Sequence, residues 1–446
     1  MRVLAISVAI ACSALSGQNA FDLRVRERVA QVDQARLRAT VESLAAFGTR
    51  HTLSDPTLPN RGNRASQQWI INHVKSLQAL PGSRLQLLEE RFMAGGSGRL
   101  PQPIELANLG AILPGVDPSR AKEVLVIAGH YDSLPSGRDP NADGPGAVDD
   151  ASGVALCLEM ARVMAAEKPA ITVYFVASAA EEQGLVGATH LAKRLKSEGY
   201  AVRGMIAVDM VGNTHGISKD ADNTTARCFS EGVPVAETDA EKRFRESTGG
   251  ENDGQSREWA RYLKRFGEPY SNNLDMWLML RRDRVARGGD HTPFANEGFP
   301  AVRVMDTYEH YDRQHQMPRV ENGRRYGDTP EFFDENYCAK ITSALLAAFM
   351  HLSHAPAPPL EVAIGGNGTA DTILRWKLPD DPSIKGLILY RRRADALHWQ
   401  KTTALPKSTE LTLQNVMLDN HVFAIATVDA NGHESLPVYP TALIGR

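Results

Sequence analysis

Between Glu123 and Asp306 the chain alternates short apolar runs with longer segments whose apolar residues recur every three or four positions. EVLVIAGHY (123–131), ITVYFVAS (171–178), GMIAVDM (204–210), LDMWLML (274–280) and PAVRVMD (300–306) read as strands. DASGVALCLEMARVMAA, LVGATHLAKRLKSEG and ENYCAKITSALLAAFMHL read as helices. Continuous apolar runs belong to strands buried on both faces, and strands separated by helices pair in parallel. The pattern predicts an α/β fold, a mostly parallel mixed sheet with helices on both faces. Two further helical stretches, Val25 to Phe47 and ASQQWIINHVKSLQAL, come before it.

At HAPAPPLEV (354–362) the character changes. A Pro-rich linker leads into TILRWKL, KGLILYRRR, TELTLQNV and HVFAIATVDANG, short β-like segments without helix signals. Trp376 in an early strand and Tyr390 in a later one suit a small β-sandwich, and the pattern resembles a fibronectin type III module. The expected boundaries are a signal peptide at 1–17, a catalytic unit at 21–355 and the sandwich at 356–446. The sandwich is open to two readings, a module that binds a surface or polysaccharide and a spacer or folding aid.

The composition, 42% hydrophobic and 23% charged over 446 residues, is that of a globular chain. Fifty basic against fifty-three acidic residues give a net charge of −3, which offers no electrostatic basis for nucleic-acid binding. MRVLAISVAIACSALSG has an early Arg, an apolar run from Val3 to Leu15 and small residues at Ala14 and Ser16. That is too short to span a membrane and reads as an export signal, placing the protein in the periplasm or outside the cell. Lipidation of Cys12 is the alternative. Cys157 falls in an apolar helical pattern and reads as core, whereas Cys228 and Cys338 are candidates for a disulfide in an oxidising compartment. No Cys-x-x-Cys pattern marks a thiolate metal site.

The strands end in chemistry. EVLVIAG runs into His130-Tyr131-Asp132, and the helix after it opens with Asp149-Asp150. ITVYFVAS leads to Glu181-Glu182, GMIAV to Asp209, and PAVRVMD to a segment holding His310 and His315. Singly, Asp149 and Asp150 read as helix caps, His130 as a core residue and the glutamates as solvated charge. Together they gather at the carboxyl ends of one sheet, where α/β folds bind ligands. So many carboxylates on one edge repel one another and lose hydration, a conflict that metal cations resolve. Imidazole and carboxylate without thiolate suit zinc, and two zinc ions sharing one carboxylate need five protein ligands. Asp132 lies two residues from His130 on the same side of the strand, placed to accept its other ring N–H.

HYDS, GAVDDASG, AAEEQGLVGATHLA, VDM, GGDHTPF and RQH follow one another in the order of the exported dizinc aminopeptidases, a metallopeptidase family that includes glutamate carboxypeptidases and dipeptidases. The chain resembles that family from about Leu44 to Leu352. The resemblance implies the zinc exopeptidase fold, with Asp149 bridging two zinc ions. It implies that His130 and Asp209 complete one metal site and Glu182 and His315 the other, His315 being favoured over His310. Glu181 is then the general base and Asp132 the residue that orients His130. Asp290-His291 is expected to shape the pocket wall. The run VARGG lacks the tyrosine that some relatives place ahead of GGDHTPF to stabilise the oxyanion, and Arg287 and Tyr308 are candidate substitutes.

The function expected is zinc-dependent removal of N-terminal residues from peptides. A carboxypeptidase or dipeptidase on the same scaffold is the alternative, with Arg281 to Arg287 as a candidate carboxylate clamp. DDASG argues against the single-zinc relatives that cyclise N-terminal glutamine, and the intact ligand set argues against a non-catalytic receptor.

Overall fold

The computed structural model describes residues 22–137, 139–218 and 220–445. The export-signal and Cys12 readings lie outside these residues. Among them no helix is long and apolar enough to cross a membrane.

Eight strands form the main sheet: β1 (Gln86–Ala94), β2 (Ile104–Leu113), β3 (Glu123–His130), β4 (Thr172–Ser178), β5 (Ala201–Val208), β6 (Thr225–Ser230), β7 (Asp275–Met279) and β8 (Ala301–Asp306). Their order is β1-β2-β4-β3-β5-β8-β6-β7. The centre, β4-β3-β5-β8, is parallel, while β1, β2 and β6 join antiparallel and make the sheet mixed. Nine helices accompany it among the described residues: α1 (Leu23–Val29), α2 (Gln34–Ala45), α3 (Gly62–Gln78), α4 (Ser152–Met164), α5 (Val186–Ser197), α6 (Asp239–Thr248), α7 (Gln255–Phe266), α8 (His291–Asn296) and α9 (Glu335–His354).

Alternation along β3 explains the two covered faces. Leu125 and Ile127 pack with α2, α3, α4, α7 and α9 on one side. Val124, Val126 and Ala128 pack with α5 and α8 on the other. β3 feeds α4 and β4 to one side, and α5 then carries the chain across β3 to β5 on the other. The carboxyl end of β3 is therefore the switch point at which α/β sheets open a crevice. Cys157, Cys228 and Cys338 are buried and free, so the Cys228–Cys338 disulfide is not formed: each thiol packs in the core of its own element.

A short hairpin, β9 (Arg319–Glu321) and β10 (Arg324–Tyr326), precedes α9. The C-terminal segment builds two small sheets. One holds β11 (Leu360–Gly365), β12 (Thr372–Lys377), β15 (Glu410–Leu413) and β17 (Ala442–Leu443). The other holds β13 (Gly386–Arg393), β14 (Lys401–Leu405) and β16 (His421–Val428). Val362, Leu374 and Trp376 of the first pack on Leu387, Leu389, Phe423 and Ile425 of the second.

The two small sheets dock on the larger unit through buried polar groups. Glu258 of α7, 1% exposed, accepts hydrogen bonds from Trp399 and Tyr439. Arg261 of α7 donates to the Leu397 carbonyl, and Tyr262 to the Glu434 carbonyl. His433 stands between Asp429 at 2.9 Å and Asp22 at 3.1 Å. Burial opposes its charge, but the two carboxylates prevail and raise its pKa above the ordinary histidine value. A raised folded-state pKa stabilises fully below the unfolded value of about 6.5 and is lost as pH climbs through the folded one. His433→Gln should therefore cost about 2 kcal/mol near pH 5.5 and distinctly less near pH 9, read from denaturant unfolding at both values.

Candidate metal centre

The residues expected to carry chemistry meet at the carboxyl end of the central strands. His130 is the last residue of β3, 2% exposed. Its Nδ1 lies 3.0 Å from the Asp132 backbone carbonyl, which can only accept, so Nδ1 carries the proton and Nε2 faces the cluster with its lone pair. The Asp132 carboxylate is farther away, at 3.6 Å, and is spent elsewhere: its two oxygens accept the backbone N–H groups of Glu181 and Glu182, each at 3.1 Å. Asp132 thus fixes the ring through its main chain and the glutamate turn through its side chain.

Asp149 sits between two triads. Its Oδ1 is 3.2 Å from His130 Nε2, which is 3.9 Å from Asp209 Oδ2. Its Oδ2 is 3.1 Å from His315 Nε2, and that nitrogen is 2.7 Å from Glu182 Oε1. His130, Asp149 and Asp209 offer ligand atoms within 4.8 Å of one another, as do Asp149, Glu182 and His315, and as do His130, Glu181 and Glu182. His310 stands outside these groups, and Arg287 pairs with Glu309 at 3.5 Å. Asp290 bonds the Ser178 hydroxyl at the end of β4, while His291 is fully buried against the Arg282 carbonyl at 2.8 Å and lines no open wall.

The scaffold beneath the triads is a set of carboxylates bonded to main chain. Asp150, 0% exposed, accepts from the backbone N–H of His130 at 2.9 Å, Gly153 at 2.9 Å and Met210 at 3.2 Å. A Cβ on Gly153 would stand 2.4 Å from both the Asp150 carboxylate and the Val208 carbonyl, so only glycine lets α4 start here. Asp328 accepts from Val148 N–H at 2.9 Å and from Asp149 N–H at 2.7 Å. Arg50, fully buried, donates to the Tyr131 and Gly146 carbonyls and pins the loop leading to Asp149. Arg303 of β8 reaches Asp209 Oδ2 at 2.8 Å. Ala180, Met210 and His315 all adopt positive φ, so the backbone next to Glu181, next to Asp209 and at His315 itself is strained and held by its surroundings.

Sequence reading did not single out Asp328, Arg303 or Arg50. A charged residue inside the apolar run PAVRVMD is a signal that could have found Arg303. Asp328, in a polar stretch before α9, carries none.

Electrostatics follow from burial and crowding. Burial pushes the Glu181 carboxyl well above the ordinary range; His130 opposes this, and the charges of Glu182, Asp209 and Asp290 add to it. Burial and Asp149 likewise raise Glu182. Burial lowers His315, but hydrogen bonds to Asp149 and Glu182 outweigh it and raise the ring to about 11. Asp209 Oδ1 is buried without a hydrogen-bond partner among the described residues. Imidazole nitrogens and carboxylate oxygens converging in two triads with one shared carboxylate fit hard-to-borderline divalent cations, zinc foremost.

The comparisons agree. The model of peptidase family M28 matches residues 108–330, which include every residue of both triads. A probable zinc metalloprotease of Leptosphaeria maculans is 35% identical over 418 residues, 93% of this chain and 96% of that protein. One of Pyricularia oryzae is 35% identical over 432 residues, covering 94% of this chain and 84% of its own. The chain belongs to peptidase family M28. It is accordingly a zinc-dependent peptidase, a hydrolase acting on peptides. The LapA aminopeptidase of Legionella pneumophila shares the fold, with a TM-score of 0.52 at 19% identity over 76% of each chain.

In this M28 peptidase, Asp150→Ala should leave the main-chain N–H groups of His130, Gly153 and Met210 buried and unbonded while removing no side chain of the triads. The expected outcome is a loss of about 3 kcal/mol or more in unfolding free energy together with reduced zinc content by elemental analysis.

Proposed function

We propose that the protein is an aminopeptidase that holds two zinc ions and removes N-terminal residues from peptides. The observation that carries this reading is Asp149, whose two oxygens face two separate triads. His130 and Asp209 would hold one ion, Glu182 and His315 the other, and Asp149 would bridge them. Zinc, when bound, supplies Lewis acidity that polarises the scissile carbonyl and makes a water acidic enough to attack near neutral pH.

The chain's own residues supply the rest. Glu181 takes the proton of the attacking water and passes it to the leaving amine. Its neighbour Glu182 accepts toward His315, and the N–H bonds to Asp132 hold the two side chains in different directions. Asp132 keeps the His130 ring in one tautomer. Arg303, paired with Asp209, offsets part of the negative charge around that ligand.

Export rests on the N-terminal seventeen residues, with their early Arg, apolar run and small residues. The C-terminal sheets, from about residue 356, are read as a fibronectin type III-like sandwich, and their buried polar docking favours a structural role.

Two variants test the roles. Glu181→Ala should keep its zinc and lower kcat on aminoacyl-peptide substrates by about 10²–10⁴-fold. Asp149→Ala should lose both metal and turnover. Near-normal turnover by Glu181→Ala would remove it as the base, and hydrolysis of N-terminally blocked peptides would replace the aminopeptidase reading with a carboxypeptidase one.

A further inference from the structure

A second set of metal-ligating side chains lies apart from the triads, where three distant parts of the chain meet. Asp22 begins α1, His351 stands in the last turn of α9, and His433 follows β16. A carboxylate oxygen of Asp22 and one ring nitrogen of each histidine lie within 4.8 Å of one another. The two rings meet edge-on with centroids 5.7 Å apart. Both histidines are buried, while the Asp22 side chain keeps 16% exposure, a way in from solvent.

Each donor is oriented by a group outside the set. Asp429 accepts the backbone N–H groups of Asn431 and His433 through Oδ1, each at 2.8 Å, and its Oδ2 lies 2.9 Å from His433 Nδ1. A carboxylate on Nδ1 keeps a proton there and sets Nε2 toward Asp22 Oδ2, 3.1 Å away. Neighbouring ligands of a tetrahedral zinc stand about 3.3 Å apart, so this pair is already near metal spacing. Asp22 Oδ1 caps α1 by accepting from Arg24 N–H at 2.8 Å, which leaves Oδ2 to the histidine. His351 Nε2 lies 3.0 Å from the Tyr270 hydroxyl, and its Nδ1 is buried without a hydrogen-bond partner among the described residues. A buried nitrogen left unbonded costs stability, and a ligand removes that cost. Arg24 and Arg28 both bond Glu167, so these guanidiniums are already engaged by another acid.

We propose that Asp22, His351 and His433 form a structural site for a further divalent ion, zinc or a similar late transition metal, independent of the chemistry at the triads. Two imidazoles and one carboxylate, with water in the fourth position, suit zinc; calcium and magnesium prefer shells of oxygen alone. The ion takes the place of a proton on His433 Nε2, and Asp429 is the outer carboxylate that orients a ligating ring. In the chain without this ion the proton stays, and the pH dependence expected of His433→Gln belongs to that form. Bound, the ion joins the start of α1 and the C-terminal sheets to the end of α9.

The test uses the full-length chain carrying Asp149→Ala, which silences the triads, with and without Asp22→Asn. Asparagine keeps the helix cap and gives up the charge. After chelation, dialysis and return of zinc, elemental analysis should find about one ion per Asp149→Ala chain. At zinc about 100-fold above its Kd, Tm should rise by about 3 °C or more. Adding Asp22→Asn or His351→Gln should weaken zinc binding about tenfold or more and remove most of that rise. No zinc on the Asp149→Ala chain, or binding that neither substitution changes, overturns the proposal, and so does an equal rise with calcium or magnesium. Should Asp149→Ala fail to fold, the otherwise unaltered chain decides: Asp22→Asn should lower its zinc content by about one ion, and an unchanged content overturns the site.

Discussion

A single buried carboxylate organises the site. Asp150 bonds the main chain of His130 at the end of β3, of Gly153 at the start of α4 and of Met210 just past β5. Each residue of the first triad is one of these partners or is adjacent to one in sequence or to Asp150 itself. The ends of two strands and the start of a helix, which sheet twist alone would leave loosely related, are thereby fixed to one another within hydrogen-bond tolerance. Asp328 does the same for the turn that presents Asp149. Asp132 does it for the glutamate turn. The triad residues are held by other acids acting on the backbone.

This division of labour explains how so many acids coexist. In those bonded to N–H groups, peptide dipoles oppose the burial that raises Asp150 and Asp328, while those facing the triads are left for cations. The charge does not stop at the triads. It continues outward through Arg303, Asp283 and Arg284, each charge neutralised by the next.

What could be read from sequence was what repeats. β3, β4, β5 and β8 are buried on both faces, so their apolar runs are continuous, and the residues that end them point to the site. β1 alternates exposed and half-buried positions at the sheet's edge, and β6 is a short run, TARCFS, with a charge inside it; neither shows a clear strand pattern. α7 was hidden for a different reason. Its buried residues include Arg257, Glu258 and Arg261, which belong on no apolar face; Glu258 and Arg261 find partners far along the chain, and Arg257 bonds Asn252 nearby. His130 and Asp209 could be singled out because they sit at strand ends, whereas the grouping with Asp149, Glu182 and His315 came from the family resemblance. The supports could not, because Arg50 and Asp328 act through backbone atoms that no residue pattern announces.

Helix α7 also bears on how such a chain can change over time. Its surface toward the C-terminal sheets is finished by Trp399, Tyr439 and the Leu397 and Glu434 carbonyls. A substitution at Glu258 or Arg261 is therefore felt more than a hundred positions away, and a change at Tyr439 takes one partner from each of these two buried, mutually paired charges. The two halves must drift together. The C-terminal sheets are inherited as part of the enzyme's interior, and exchanging them for another module would require rewriting one face of α7 at the same time.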